Sequence, residues 1–203
     1  MTDFGQISPT TLADVLGRGQ VMDIGVRPLW PSPRVAGPAF TVRCLPGDNL
    51  MLHAAIYRAA PGSVIVVEAG DTEFAVAGGN VCAVAHRRGI AAFVVDGVIR
   101  DLAEVRELGF PVFARGVIPV PGSKALVAPL NQQVRCGGVE VSAGDIVVAD
   151  EEGVVVVPGD LRQQVLADAA AKQAAEDDQS LDAWEEAHRA RIAAILREQG
   201  FAG

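Results

Sequence analysis

At 203 residues the chain is sized for one domain, or one domain with an appended helical segment. Half of the residues are hydrophobic, with only seven Phe, two Trp and one Tyr, so a sizeable aliphatic core is available; the formal net charge of −8 argues against a nucleic-acid partner held on a basic face. The cysteines are Cys44, Cys82 and Cys136, odd in number and without C-x-x-C spacing, so neither a disulfide framework nor a zinc site is expected; there is also no apolar run near the ~18 residues of a membrane span and no secretory start, so the expected setting is the cytoplasm, away from membranes.

Ser8 to Leu16 reads as a first helix, with Ser8 as N-cap and Pro9 at the first helical position. Pro28, Pro31 and Pro33 impose an extended loop, and Ala39 to Cys44 reads as a short strand. Asp48 or Asn49 can cap a helix over Leu50 to Ala59, Pro61-Gly62 turns the chain, and Ser63 to Glu68 is a buried strand. Gly78 to Arg88 is the next helix, ended by Gly89. Ile90 to Val95 is a buried strand broken by Asp96-Gly97, Leu102 to Leu108 is a short helix closed by Gly109, and Pro111 to Ala114 is a strand. Past Asn131 the pattern turns β-rich. Val134 to Val141 and Asp145 to Ala149 read as antiparallel strands with glycine turns, and Gly153 to Val157 as a last strand. Leu161 to about Gln199 is Ala-, Glu- and Arg-rich and helical, a packing element outside the sheet. Strand–helix alternation followed by a β-rich part predicts a mixed α/β layered domain.

The chemistry concentrates between Gly78 and Asp101. Arg100-Asp101 falls just after the buried strand that ends in V-V-D-G-V-I, where ligands of α/β proteins gather beyond strand carboxyl ends. Arg offers bidentate recognition of a carboxylate, and Asp is a hard oxygen ligand of the kind Mg2+ takes. As a bare dipeptide, Arg-Asp is equally a salt bridge or a helix cap. Gly78-Gly79-Asn80-Val81 opens a helix, whose first N–H groups lack partners and bind anions; an ordinary loop and helix start fits as well. Neither G-x-G-x-x-G after a strand nor G-x-x-x-x-G-K-[ST] is present, and no glycine-rich S-adenosylmethionine loop follows the first strand. His53, His86 and His188 lack ligand spacing and read as structural or surface residues. Lys124 follows a Pro-Gly-Ser turn and is a minor candidate for a Schiff base, which requires a desolvated amine.

Several ordered blocks carry a resemblance: G-P-A-F-T-V (Gly37 to Val42), P-G-D-N-L-M-L-H (Pro46 to His53), P-G-S-V-I-V-V (Pro61 to Val67), V-V-D-G-V-I-R-D (Val94 to Asp101), L-G-F-P-V-F-A-R-G (Leu108 to Gly116) and G-D-I-V-V-A-D-E-E-G-V-V-V-V-P (Gly144 to Pro158). Over most of its length the chain resembles the RraA-like proteins, which include 4-hydroxy-4-methyl-2-oxoglutarate/4-carboxy-4-hydroxy-2-oxoadipate aldolases. The resemblance implies an α/β/β/α layered fold with a swivelling phosphohistidine-domain-like core over residues 1–158 and a C-terminal helical arm over 159–203. It also implies a homo-trimer or hexamer with sites at subunit interfaces, and a lyase using Mg2+ or Mn2+ on small oxo acids. Such a lyase releases pyruvate from 2-oxo-4-hydroxy acids, and decarboxylates oxaloacetate, through a metal-stabilised pyruvate enolate.

Carried over by position, Asp101 would be the metal ligand and Arg100 would hold the substrate carboxylate and oxo group. The glycine-led turn from Gly78, with the amides of Gly79, Asn80 and Val81, would bind the pyruvyl carboxylate. Glu176 would reach the metal through water from a neighbouring subunit. The aldolases carry an acidic residue twenty-one positions before the arginine, where this chain has Gly79. The expectations are that Asp71, Glu73 or Asn80 compensates, that Gly79→Asp tightens metal binding, and that aldol cleavage suffers more than decarboxylation. The resemblance also admits a non-catalytic regulator that binds a ribonuclease or another enzyme partner, because RraA proteins with glycine at this position inhibit ribonuclease E.

Overall fold

The computed structural model describes residues 3–31 and 33–201. Helix α1 (Pro9–Leu16) starts as expected: the Ser8 hydroxyl accepts the Thr11 N–H, and Pro9 occupies the first turn, where no N–H is needed. Strands β1 (Arg27–Pro28), β2 (Val35–Arg43), β3 (Val64–Glu68), β4 (Ala92–Ile99), β5 (Val112–Val117), β8 (Ile146–Asp150) and β9 (Gly153–Val157) form one seven-stranded sheet, ordered β1-β5-β4-β3-β2-β8-β9. The β2, β3, β4 and β5 portion is parallel, and β8 and β9 are antiparallel. Strands β6 (Val134–Cys136) and β7 (Val139–Val141) form a separate hairpin.

The period-two alternation of the strands sorts the aliphatic residues into layers. Ile65, Val67, Phe93 and Val95 face helices α2 (Leu50–Ala55), α3 (Gly79–Arg87) and α4 (Leu102–Leu108). Their neighbours Val64, Val66, Ala92 and Val94 point the other way and meet the hairpin and Val147, Ala149, Val154 and Val156. The opposite faces of β8 and β9, with Ile146, Val148, Val155 and Val157, are covered by α1 and α5 (Arg162–Asp177). Strand β2 joins the two halves: residues 39–43 pair with β3, while 35–38 pair with β8. Gly37 sits at this junction because a Cβ there would run into the Gly62 carbonyl.

Several expected boundaries move. Strand β2 begins at Val35 rather than at Ala39, because its first four residues find an antiparallel partner far along the chain. Helix α2 ends at Ala55 instead of Ala59. Asp96-Gly97 does not break β4, which continues to Ile99 with a register irregularity between Val95 and Val98. The Asp96 carboxylate is held by Arg115 and the Gly137 N–H, and Gly97 lets the strand pass Ala69, whose methyl a Cβ would strike. The expected strand over 134–141 is folded into the β6–β7 hairpin by Gly137 and Gly138, both at positive φ. The C-terminal helix is interrupted at 178–180. Ser180 caps α6 (Leu181–Glu198), accepting the Ala183 N–H. Helix α5 is docked on α1 through Val165 and Ala169, whereas α6 buries no residue against this chain.

Candidate active site

The site forms where β4 ends. Residues 75–77 run beside the last residues of β4: Ala75 bridges Val98, the Val76 N–H donates to Val98 O, and the Arg100 N–H donates to Ala77 O. This seam brings the start of α3 against Arg100 and Asp101, which are twenty-odd residues away in sequence. Asp101 occupies the N-cap position of α4 but makes no capping bond; it adopts φ 58°, ψ 40°, a left-handed conformation open to Asp and Asn. That twist turns its carboxylate onto α3, where Oδ2 accepts the Gly79 N–H at 3.0 Å and lies 3.4 Å from Arg100 Nε. The helix-cap reading of the Arg-Asp pair is therefore not what the structure shows. Oδ1 accepts no hydrogen bond among the described residues, and the side chain is one-third exposed.

The two glycines have different reasons. Gly78 is extended at φ −160°, so its backbone suits any residue, but a Cβ would overlap Asp101 Oδ2 and lie 2.9 Å from Arg100 Cγ. Gly79 has Glu104 folded across it: a Cβ would lie 3.3 Å from Glu104 Cβ and 3.1 Å from Cδ, and would overlap the carboxylate itself. The amides of Asn80 and Val81, in the first turn of α3, lack intrahelical acceptors. Of the three amides expected to hold an anion, Gly79's is already donated to Asp101.

Gly78, Asn80, Val81, Arg100 and Asp101 line a small cavity of about 70 Å3 with Asn49, His53, Ala75, Pro121 and Lys124. It is far smaller than the ~300–1,000 Å3 typical of cofactor pockets and suits a ligand of few atoms. Asn49 is 3 % exposed; its Nδ2 donates to Ala75 O and Gly122 O, which fixes the amide orientation and leaves Oδ1 buried with no partner among the described residues. A buried acceptor without a donor is costly. Burial, aided by the positive Lys124, lowers the His53 pKa against the opposing pull of Asp48, so the imidazole is neutral at pH 7. Lys124 is exposed, not desolvated, which is unsuited to Schiff-base chemistry.

Asn49, at the N-cap position of α2, and His53 within α2 lie four apart, a spacing visible in the sequence. His53, expected as structural or surface, lines the cavity, and of the two expected caps, Asp48 or Asn49, Asn49 is diverted into the seam. The capping function falls to Asp48, whose Oδ1 accepts the Leu50 N–H. Its Oδ2 ties down the loop that carries Lys124, accepting from Ser123 Oγ at 2.7 Å and from the Ala125 and Leu126 N–H groups at 2.6 and 3.2 Å. Burial pushes the Asp48 pKa up, but these four hydrogen bonds outweigh it and the pKa is lowered. The stability it contributes is present above about pH 4 and is lost as pH falls through the lower folded-state value. Asp48→Asn is therefore expected to cost about 1–3 kcal/mol at pH 7 and to flatten the acid limb of a urea-stability profile. An unaltered acid limb would overturn this role.

The expected compensating acids are placed elsewhere. Asp71 spends both oxygens on the Gly47, Glu73 and Phe74 N–H groups and lines a separate cleft, one also lined by Glu68, Asp96, Arg115 and Arg135. Glu73 does not line the Arg100–Asp101 cavity. Glu176, near the end of α5, pairs with Lys172 at 2.8 Å and is likewise outside that cavity. Among the described residues no three His, Cys, Asp or Glu side chains converge to hold a metal ion. One carboxylate with a free oxygen suits Mg2+ or Mn2+, which take one or two carboxylates and keep their waters, and does not suit zinc.

In this mixed α/β fold a guanidinium, a carboxylate and helix-start amides thus gather past the end of one strand. The chain belongs to the RraA-like family: the family model described as Aldolase/RraA matches residues 9–156. A Halalkalibacterium halodurans protein with the provisional name 4-hydroxy-4-methyl-2-oxoglutarate aldolase is 41 % identical over 175 residues, covering 86 % of this chain and 83 % of its own. Among solved structures, Streptomyces coelicolor RraAS2, described as an unusual member of the RNase ES inhibitor RraA protein family, matches with TM-score 0.76 and 33 % identity, over 85 % of this chain and 91 % of that one. The RNA-processing inhibitor RraA from Thermus thermophilis matches with TM-score 0.69 and 28 % identity, over 78 % and 94 % of the two chains. Among the described residues no helix is long and apolar enough to cross a membrane.

Proposed function

We propose that the protein is a divalent-metal-dependent lyase that releases pyruvate from a small 2-oxo acid, by aldol cleavage of a 2-oxo-4-hydroxy acid, by decarboxylation of oxaloacetate, or both. The observation that carries this reading is the convergence of Arg100, Asp101, Asn80 and Val81 on one small cavity. Both reactions leave an electron pair on carbon 3 of pyruvate. Mg2+ or Mn2+ held by Asp101 would supply a Lewis acid that draws this charge toward the 2-oxo group. Arg100 and the amides of Asn80 and Val81 bind the substrate carboxylate and present fixed positive potential where charge grows. Aldol cleavage also needs an acceptor for the 4-hydroxyl proton, and the neutral His53 imidazole is the cavity's candidate. Lys124, exposed at the rim, is available to a second carboxylate of the substrate.

Because decarboxylation needs no such base, purified protein with Mg2+ is expected to release pyruvate faster from oxaloacetate than from 4-hydroxy-4-methyl-2-oxoglutarate, with EDTA stopping both. Coupling to lactate dehydrogenase, with metal-only decarboxylation subtracted, measures this. Efficient cleavage of the hydroxy acid without decarboxylation would overturn the ordering. Silence on every oxo acid, unaffected by metal or chelator, would favour the second reading, a regulator that binds a ribonuclease. That reading is supported by the inhibitor descriptions of the two RraA structures.

The assembly belongs to the same reading. Leu181, Trp184, Ile192 and Ile195 leave an exposed apolar stripe on α6 that nothing among the described residues covers, flanked by acidic and basic side chains that can pair between copies. A second copy of this chain, within a trimer or hexamer, is the proposed occupant, with Glu176 at the end of the neighbouring α5 directed to the adjoining site. The limits of the α/β domain (1–158) and of the arm (159–203), and the swivelling phosphohistidine-like character of the core, rest on the family resemblance; residues 1 and 203 lie outside the described residues. Ile192→Glu with Ile195→Glu is expected to lower the mass measured by light scattering to that of a smaller assembly. An unchanged mass would remove α6 from the interface.

A further inference from the structure

Strand β4 carries one residue more than β5 between two paired positions. Val95 faces Ala114 and Val98 faces Gly116, so three steps along β4 are matched by two along β5. This is a β-bulge, which leaves an extra residue unpaired, bends the strand and re-aims what comes after it. Without it Gly97 would face Gly116, and a slip of one residue turns every later side chain to the opposite face. Here Arg100 and Asp101 come after it, together with the backbone that carries Gly78 and Gly79. Val98 bridges Ala75 and accepts the Val76 N–H, and the Arg100 N–H donates to Ala77 O.

A closed ring of hydrogen bonds pins the bulge. Arg115 Nε donates to Asp96 Oδ1, and the Gly137 N–H donates to Asp96 Oδ2 at 2.8 Å. The Gly137 carbonyl accepts the Asp23 N–H at 2.8 Å, and the Asp23 carboxylate takes both terminal nitrogens of the same Arg115, at 2.7 and 3.2 Å. Arg115 thus spends its whole fork on two acids from different segments, which a lysine cannot reproduce. Gly97 is needed beside it, because a Cβ there would strike Ala69 and lie 3.2 Å from Asp71 O. Ion pairs as exposed as these add little stability; what the ring fixes is direction.

We infer that Asp96 and Arg115 are positioning residues, which through the bulge aim Arg100 and Asp101 at the start of α3. The aiming bears on catalysis through the reading of Arg100 and Asp101 as the substrate and metal site. The ring lies on the hairpin side of β4, lines the separate cleft and touches no group of the Arg100–Asp101 cavity, so its effect on the reaction passes through the backbone.

The test compares Asp96→Asn, Arg115→Met, Arg115→Lys and the Asp96→Asn/Arg115→Met double variant with Arg34→Met. The last breaks a similar ion pair, to Asp150 of β8, away from the bulge. The kcat for Mg2+-dependent pyruvate release from oxaloacetate is expected to fall about 10²-fold in each ring variant, Arg115→Lys included. The double variant should be no worse than either single, because the ring acts as one unit. Arg34→Met should keep its kcat, while all five variants melt close to one another. Deletion of Gly97, which removes the extra residue, should have the largest effect. Nuclear magnetic resonance reads the same geometry without activity. The Gly79 N–H, now held by Asp101 Oδ2, should shift and exchange with solvent at least about tenfold faster in the ring variants and not in Arg34→Met. Ring variants that keep both kcat and the Gly79 signal would overturn the inference, as would an equal response in Arg34→Met. If the unaltered protein releases no pyruvate but the Gly79 amide responds as expected, the lyase reading falls and the aiming role stands.

Discussion

Asp101→Asn is expected to abolish metal-dependent pyruvate release, lowering kcat by at least about 10³-fold, or ~4 kcal/mol of activation free energy, while the protein melts as before. The substitution isolates charge from shape. Asn tolerates the left-handed backbone at φ 58°, and its amide oxygen can still accept the Gly79 N–H that Oδ2 now holds at 3.0 Å. What it loses is the anionic oxygen that a hard cation requires. Asp101→Ala would be less informative, because it adds backbone strain of about 1–2 kcal/mol to the loss of charge. Steady-state kinetics with and without added Mg2+, beside thermal melts, decide the matter. Retention of metal-stimulated activity by a folded Asp101→Asn variant would sink the assignment.

Gly78→Ala should be nearly as damaging to activity, for a purely steric reason. The new methyl would overlap Asp101 Oδ2 and press on Arg100 Cγ at 2.9 Å and Nε at 3.2 Å. Arg100 Cγ lies close to its own backbone, which the Ala77 carbonyl pins through the Arg100 N–H, so it cannot swing clear. Both groups must shift, and a misplacement of about 1 Å typically costs about 10²-fold in rate. Since Gly78 is extended at φ −160°, alanine brings no backbone strain, and the stability cost should stay near the ~1 kcal/mol of a changed N-cap. A Gly78→Ala enzyme with wild-type kcat/KM would mean that the Arg100–Asp101 geometry is looser than the packing around residue 78 requires.

The sequence and the structure contribute differently to these expectations. The aliphatic runs over 64–67 and 92–95 announce buried strands, Ser8-Pro9 announces a helix start, and the Gly-Gly opening and Arg-Asp pair announce their own chemistry, because these signals are local. The junction in β2 is not local. Val35 to Pro38 carry no stronger strand signal than the loop before them, and become strand only because β8, more than a hundred residues on, supplies their partners. Strand β4 likewise outlasts Asp96-Gly97 because Arg115 and Gly137 satisfy the aspartate and Ala69 packs where a side chain at 97 would go.

At the site the same division holds. Residue types and their order along the chain determined that a guanidinium, a carboxylate and a glycine-led helix start would be available, since each follows from side-chain chemistry and helix-end geometry alone. Tertiary structure decided who meets whom. The fold set Asp101 on the Gly79 amide, brought Asn49 and His53 from the start and body of α2 to the cavity, consumed Asp71 in another turn, and laid Glu104 over Gly79. Such juxtapositions depend on the crossing of segments far apart in the chain and on the volume a missing side chain leaves, and neither has a signature in linear spacing.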